Sequence, residues 1–240
     1  MKMDKPRPMA LVVGALSGAG RDLSRELARR HFDLLLMDTD GSGLFQLRQE
    51  LQKAAKVHVQ LFQGHVERHG HRQELLRVLR TVGAKLDALV FIPHLLDHRE
   101  EEPGEGARPA VEKGHLALDE LLMEGILPAM ANEGNGFVLA LLPAHLLDKD
   151  CPQAGAAAAA GAVLHYQGAL GKAWARQGLG FSTGVIGAEL SHWLEVPEAG
   201  KPCAQNPAAA RSLVAGLFAR KEHIKVPRWR NLLLPKSGQK

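Results

Sequence analysis

The residues best placed to do chemistry lie early in the chain. Leu11 to Ser24 reads LVVGALSGAGRDLS, and Gly14, Gly18 and Gly20 follow its apolar run in a G-x-x-x-G-x-G spacing. An amphipathic helix pattern starts at about Ala19. A strand that turns through glycines into a helix aims backbone N–H groups and a positive helix dipole at one spot. With Ser17 and Ala19 in the same turn, that spot suits a dinucleotide pyrophosphate. Asp38 closes the next apolar run, 18 positions beyond Gly20. An acid at the tip of a second strand can accept from a ribose 2′-hydroxyl, which points to NAD. Asp38-Thr39-Asp40-Gly41 is also turn chemistry; with the glycines in place, the ribose role is the one expected.

Other reactive types are scattered. Of the 12 histidines, His65, His69 and His71 are close in sequence. His69 and His71, two apart, point to different helix faces, and no cysteine pair or carboxylate stands at ligand spacing, so no metal site is expected. The single tyrosine, Tyr166, is followed six residues later by Lys172. Six residues do not bring the lysine back to the tyrosine's helix face, so Tyr166 is expected to pack and Lys172 to be solvated.

The elements that position these groups alternate. Apolar runs at Met9–Gly14, Phe32–Asp38, Val57–Phe62, Leu86–Ile92, Phe137–Leu142, Phe181–Ile186 and Ile224–Val226 read as strands. Helical patterns fill the intervals: from the glycines to Arg30, then Leu44–Ala55, Glu67–Val82, His115–Met130, Gln153–Gln177 and Ala208–Lys221. Strict alternation predicts an α/β fold, a doubly wound parallel sheet of Rossmann type with helices on both faces. No linker divides it, so one domain is expected over residues 1–240, with a short basic tail at 225–240. The run Asp97–Gly106 reads as an acidic, solvated loop.

At 240 residues and 45% hydrophobic composition, the chain can bury a full core. No apolar run reaches the roughly 18 residues of a membrane span. Two cysteines give no disulfide framework and fit a reducing cytoplasm. Aromatic residues make up only 5%, which argues against nucleic-acid binding by stacking.

This arrangement resembles the short-chain dehydrogenase/reductase family over essentially the whole chain. VVGALSGAG looks like its glycine turn, LLMDTD its second-strand end, KLDALV the approach to its fourth strand, GILPAM the close of its central helix, RQGLGFSTGVIG its sixth-strand stretch and HIKVPRW a common ending. The resemblance implies hydride transfer between a nicotinamide and a carbonyl or alcohol. It implies a tyrosine acid/base, a lysine one helical turn on, an orienting serine and an asparagine. Here the tyrosine and lysine positions fall on Ala156 and Ala160, within an alanine run at 156–160. The serine position falls within Leu141–Pro143 and the asparagine position on His115. No Tyr-x-x-x-Lys exists in the chain, and no serine stands between Ser42 and Ser182.

The same resemblance places Val66 against an adenine and Ser191 where a threonine holds the carboxamide. It puts Phe91-Ile92-Pro93-His94 where the family has small residues beside the cofactor. His94, His115 and His145 would line the old catalytic cleft, and with Tyr166 they are the candidates for a rebuilt acid/base. The expected function is therefore a dinucleotide-binding protein that is catalytically degenerate, with a divergent NAD-dependent oxidoreductase as the alternative. Gly161, Gly168 and Gly171, with Ala157 and Ala175, form a small-residue stripe. The resemblance then implies a homodimer or tetramer through helices 115–130 and 155–177.

Overall fold

The computed structural model describes residues 7–81, 85–92, 117–148, 151, 154–197 and 203–226. His94, His115, Pro93, the acidic run and tail residues 227–240 lie outside them. Seven strands form one parallel sheet: β1 (Met9–Val13), β2 (Asp33–Asp38), β3 (Val59–Gln63), β4 (Leu86–Phe91), β5 (Gly136–Pro143), β6 (Leu179–Ile186) and β7 (His223–Val226). Their order is β3-β2-β1-β4-β5-β6-β7. The direction of winding reverses between β1 and β4, so a crevice opens at their carboxyl ends.

Both sheet faces are covered, which is why the strands read as continuous apolar runs. Ala10, Val12, Leu34, Leu36, Val90 and Leu139 face one core. That core includes residues of helices α1 (Gly18–Arg29), α2 (Gly41–Ala54) and, later in the chain, Pro207–Phe218. Leu11, Val13, Leu35, Leu89, Phe91 and Val138 face the opposite core. There they meet α3 (His69–Thr81) and the helical stretch 117–132.

That stretch is not uniform. Leu122–Ile126 is a π-turn that leads into α4 (Leu127–Asn132). Pro128 sits in the first turn of α4. A proline ring clashes with the carbonyl four residues back, and a wider turn removes the clash. Gly125 in the π-turn lets Leu76 approach; a Cβ there would lie 2.6 Å from its Cδ2.

The predicted long helix is α5 (Ala154–Trp174), extended by a 3-10 turn at Ala175–Gln177. Its glycines do not form one surface. Among the described residues a Cβ at Gly161 would meet nothing, one at Gly168 would meet Glu222, and one at Gly171 would meet Phe181. The last helix, α6 (Pro207–Phe218), is capped by Asn206, whose Oδ1 accepts from Ala209 N at 3.0 Å.

Candidate functional site

The glycine turn stands at the head of the crevice. Gly14 has φ +78°, which L side chains rarely adopt, and a Cβ there would lie 2.5 Å from the Ile92 carbonyl. A Cβ at Gly20 would overlap the Gly14 carbonyl, so the helix can sit on the strand only through glycine. Ser17 caps α1: its Oγ accepts from Gly20 N at 3.0 Å and donates to the Gly14 carbonyl at 2.9 Å.

Five more N–H groups of the turn, those of Gly14 to Gly18, find acceptors in the chain. Gly14 N and Ala15 N donate to the Met37 carbonyl at 3.1 and 3.2 Å. Leu16 N donates to Asp38 Oδ2 at 2.8 Å, and Ser17 N to the Gly14 carbonyl at 3.4 Å. Gly18 N donates to the Glu195 carbonyl at 3.3 Å. Ser17 and Asp38 are each 1% exposed and Ala19 is fully buried. The second Asp38 oxygen accepts from Thr39 N at 2.8 Å. In this conformation Asp38 ties the turn to the end of β2.

What covers the turn arrives from far along the chain. After β6, Ala188–Leu194 coils as 3-10 turns and buries Leu190, Trp193 and Leu194 to 2% exposure or less. A Cβ at Gly18 would overlap the Ala204 carbonyl and lie 2.8 Å from the Trp193 ring. Asp22, one turn into α1 and 2% exposed, accepts from Trp193 Nε1 at 3.0 Å and from Asn206 N at 2.5 Å. Its other oxygen pairs with Arg25 at 2.7 Å. Arg25 also holds Glu50 at 2.7 Å. Burial works against its charge, but Glu50 and Asp22 outweigh it and raise its pKa. Burial likewise raises the Cys203 thiol above its ordinary value. Outside this cover, a surface cleft of about 290 Å³ lies between Arg25, Arg29 and Pro207. Both its arginines face acids of the same helix.

At Gly18 this turn, as it stands, leaves a pyrophosphate neither an N–H nor an open face. The Gly18 N–H is committed and the face of Gly18 is filled. Of the other residues expected at the cofactor, Val66 is 3% exposed and its carbonyl accepts from Arg72 at 2.9 Å. Ser191 is half-buried in the covering 3-10 turns.

Among the described residues, the β5 end of the crevice is apolar. Leu141, Leu142 and Pro143, spanning the serine position, are buried. Ala160, at the lysine position, is fully buried in a small cluster with Leu142, Leu146 and Val163. His145 is exposed on the 3-10 turn Ala144–Leu147. Tyr166 packs against the core on the α3 side. Burial, and then the nearby charge of Asp119, raise its phenol above the ordinary value. Asp119 is half-buried, and burial lifts its carboxyl to about 6. Lys172 is exposed. The structure therefore gathers Gly14, Ser17, Gly18, Ala19, Gly20 and Asp38 in one turn and brings Ser191's segment over it. His145 and Tyr166 stand apart, one in solvent and one on a core. Among the described residues no group of three or more histidine, cysteine or acidic side chains could hold a metal ion. No described helix is long and apolar enough to cross a membrane.

Sequence reasoning missed Asp22 and Trp193. Asp22 carried a usable signal: it is a charge four residues after Gly18, on the helix face that the glycine spacing turns inward.

No family model matches the chain. One curated relative is the very-long-chain 3-oxoacyl-CoA reductase of Kluyveromyces lactis, 29% identical over 83 residues. That match spans 35% of this chain and only 23% of the relative's length. Solved structures match far more of it. The alcohol dehydrogenase specific for bulky-bulky ketones from Comamonas testosteroni superposes with a TM-score of 0.75 at 16% identity, over 93% of this chain and 88% of that one. A short-chain dehydrogenase from Sphingobium yanoikuyae, solved with NADPH, gives 0.71 at 18% identity over 91% and 87%. Strand order, the glycine turn at the β1 carboxyl end and these superpositions agree: the chain has the short-chain dehydrogenase/reductase fold.

Proposed function

We propose that this chain is a catalytically degenerate protein on an oxidoreductase fold, acting by binding or assembly rather than by hydride transfer. The observation that carries this is the apolar cluster of Leu142, Leu146, Ala160 and Val163. Hydride transfer to a carbonyl needs a proton donor beside the reacting oxygen. The family places that group, its lysine and its serine where this chain puts alanines and leucines.

NAD is the dinucleotide that Asp38 favours, provided the turn is uncovered first. Homo-oligomerisation through helices 115–130 and 155–177 belongs to the same reading. No described residue packs on Gly161 of α5, where a second copy could approach.

A second reading rests on Tyr166 and Asp119. A carboxyl near pKa 6 beside a phenol is a proton-handling pair on the alternative, oxidoreductase reading.

The test is a hydride-transfer assay with NADH and NADPH against aldehydes and ketones, and with the oxidised forms against alcohols. The expected result is no turnover above the blank. Turnover abolished by Tyr166→Phe or Asp119→Asn would establish the second reading. Light scattering reads the assembly directly: a dimer or tetramer is expected, and a monomer would remove that part of the proposal.

A further inference from the structure

We propose that the phosphate face of the glycine turn is occupied by the chain itself. Trp193, Glu195 and Ala204 take the place of a ligand, Asp22 locks them there, and a dinucleotide must displace them to bind.

Three independent contacts converge on this face. The first is the N–H of Gly18. At a helix N-terminus such groups are the natural donors to an anion. Here its acceptor is the Glu195 carbonyl at 3.3 Å, an oxygen carrying only partial negative charge. The second is shape. The middle glycine leaves a bare Cα face that lets a phosphate approach backbone, and the Ala204 carbonyl and the Trp193 ring fill that face. The third is the lock. The Asp22 carboxylate accepts from the Trp193 indole and from Asn206 N, so one buried side chain on α1 holds both covering pieces. Charge-assisted bonds of this kind are about twice as strong as neutral ones.

The fit is close but not complete. Asn206 is 4% exposed, and its Nδ2 is buried without a hydrogen-bond partner. A buried amide left unpaired lowers the stability of the covered state. The Gly18–Glu195 bond, at 3.3 Å, is also at the long end for N–H···O. Covering therefore competes with a ligand that would offer Gly18 a full anionic oxygen.

This inference shares with the proposed function the reading of the turn as a nucleotide cradle, and its test separates the two. NAD, NADH and NADPH are titrated by calorimetry into the full chain and into Asp22→Ala and Trp193→Phe. The phenylalanine variant keeps the ring in the core and removes only the indole N–H, so it serves if the alanine variant does not fold. Native-state hydrogen exchange of the Gly18 amide is followed in each. The expected result is millimolar or weaker affinity in the parent chain with a protected Gly18 amide. In a folded variant that amide exchanges faster, and at least one dinucleotide binds about tenfold tighter or better. Micromolar binding by the parent chain with Gly18 still protected would overturn the proposal. So would a folded variant whose Gly18 amide is exposed and whose affinity is unchanged. Hydride transfer is assayed in the same variants: turnover there would overturn the proposed function while leaving the covering intact.

Discussion

The two ends of the crevice depart from a ligand site by opposite routes. At the end of β1 the glycines, the serine cap and the strand-end acid are present and are covered by distant chain. At the end of β5, among the described residues, leucines, a valine and an alanine pack on one another, and in the proposed reading they replace a polar site. Covering is a matter of contacts and is reversible in principle. Replacement, as proposed for the β5 end, changes the chemistry, and no conformational change would restore it. One end should thus respond to loosening and the other should not.

The largest expected effect comes from forcing the replaced end back. Ala160→Lys places an ammonium where Ala160 is fully buried among leucines and valine. We expect a loss of about 3–5 kcal/mol in urea unfolding and no gain of turnover. A lysine that is tolerated there and active would break the comparison. The covered end should yield more gently. Asp22→Ala orphans the Trp193 indole N–H and the Asn206 N–H, and should cost about 1–3 kcal/mol by the same measurement. A loss as large as that of Ala160→Lys would mean the cover is core rather than lock.

The smallest effect is one of pH. Burial raises Asp119 from 3.8 to about 6 in the folded chain, so the native state holds that proton more tightly than the unfolded one. The stability this gives is full below about pH 4 and is lost as pH rises through about 6. Asp119→Asn should therefore raise the urea midpoint at pH 7.5 and leave it unchanged at pH 3.5. An unchanged midpoint at both would show that Asp119 is solvated, and would weaken the case for it as a partner of Tyr166.

Much of this was legible from the chain alone, for local reasons. Each apolar run bounded by turn residues became a strand, and β5 gained only Gly136 and Pro143 at its ends. Asp40 was read as turn chemistry, yet it caps α2 through Ser42 N, so that helix starts at Gly41 rather than Leu44. The last helix stops at Phe218 instead of Lys221, and Arg220 turns to a left-handed φ of 55° with its guanidinium over the Phe137 ring. The absence of a Tyr-x-x-x-Lys pair is itself a matter of composition: there is one tyrosine, and no serine stands between Ser42 and Ser182. The π-turn and the cover were not visible. A π-turn has no periodicity of its own, and contacts between residues 22 and 193 leave no local pattern.

Those distant contacts also set an order of events for the chain as it forms. Asp22 meets Trp193 and Asn206 across 171 and 184 residues of sequence. Pairings of such separation are made late, after strands that lie closer in sequence have found one another. During synthesis the first half of the sheet emerges well before residue 193 exists. For that interval the nascent turn has Gly18 N–H open to water and the Asp22 charge without its indole partner. The closed turn of the finished protein is thus among the last features to be built, although its glycines are among the first residues made.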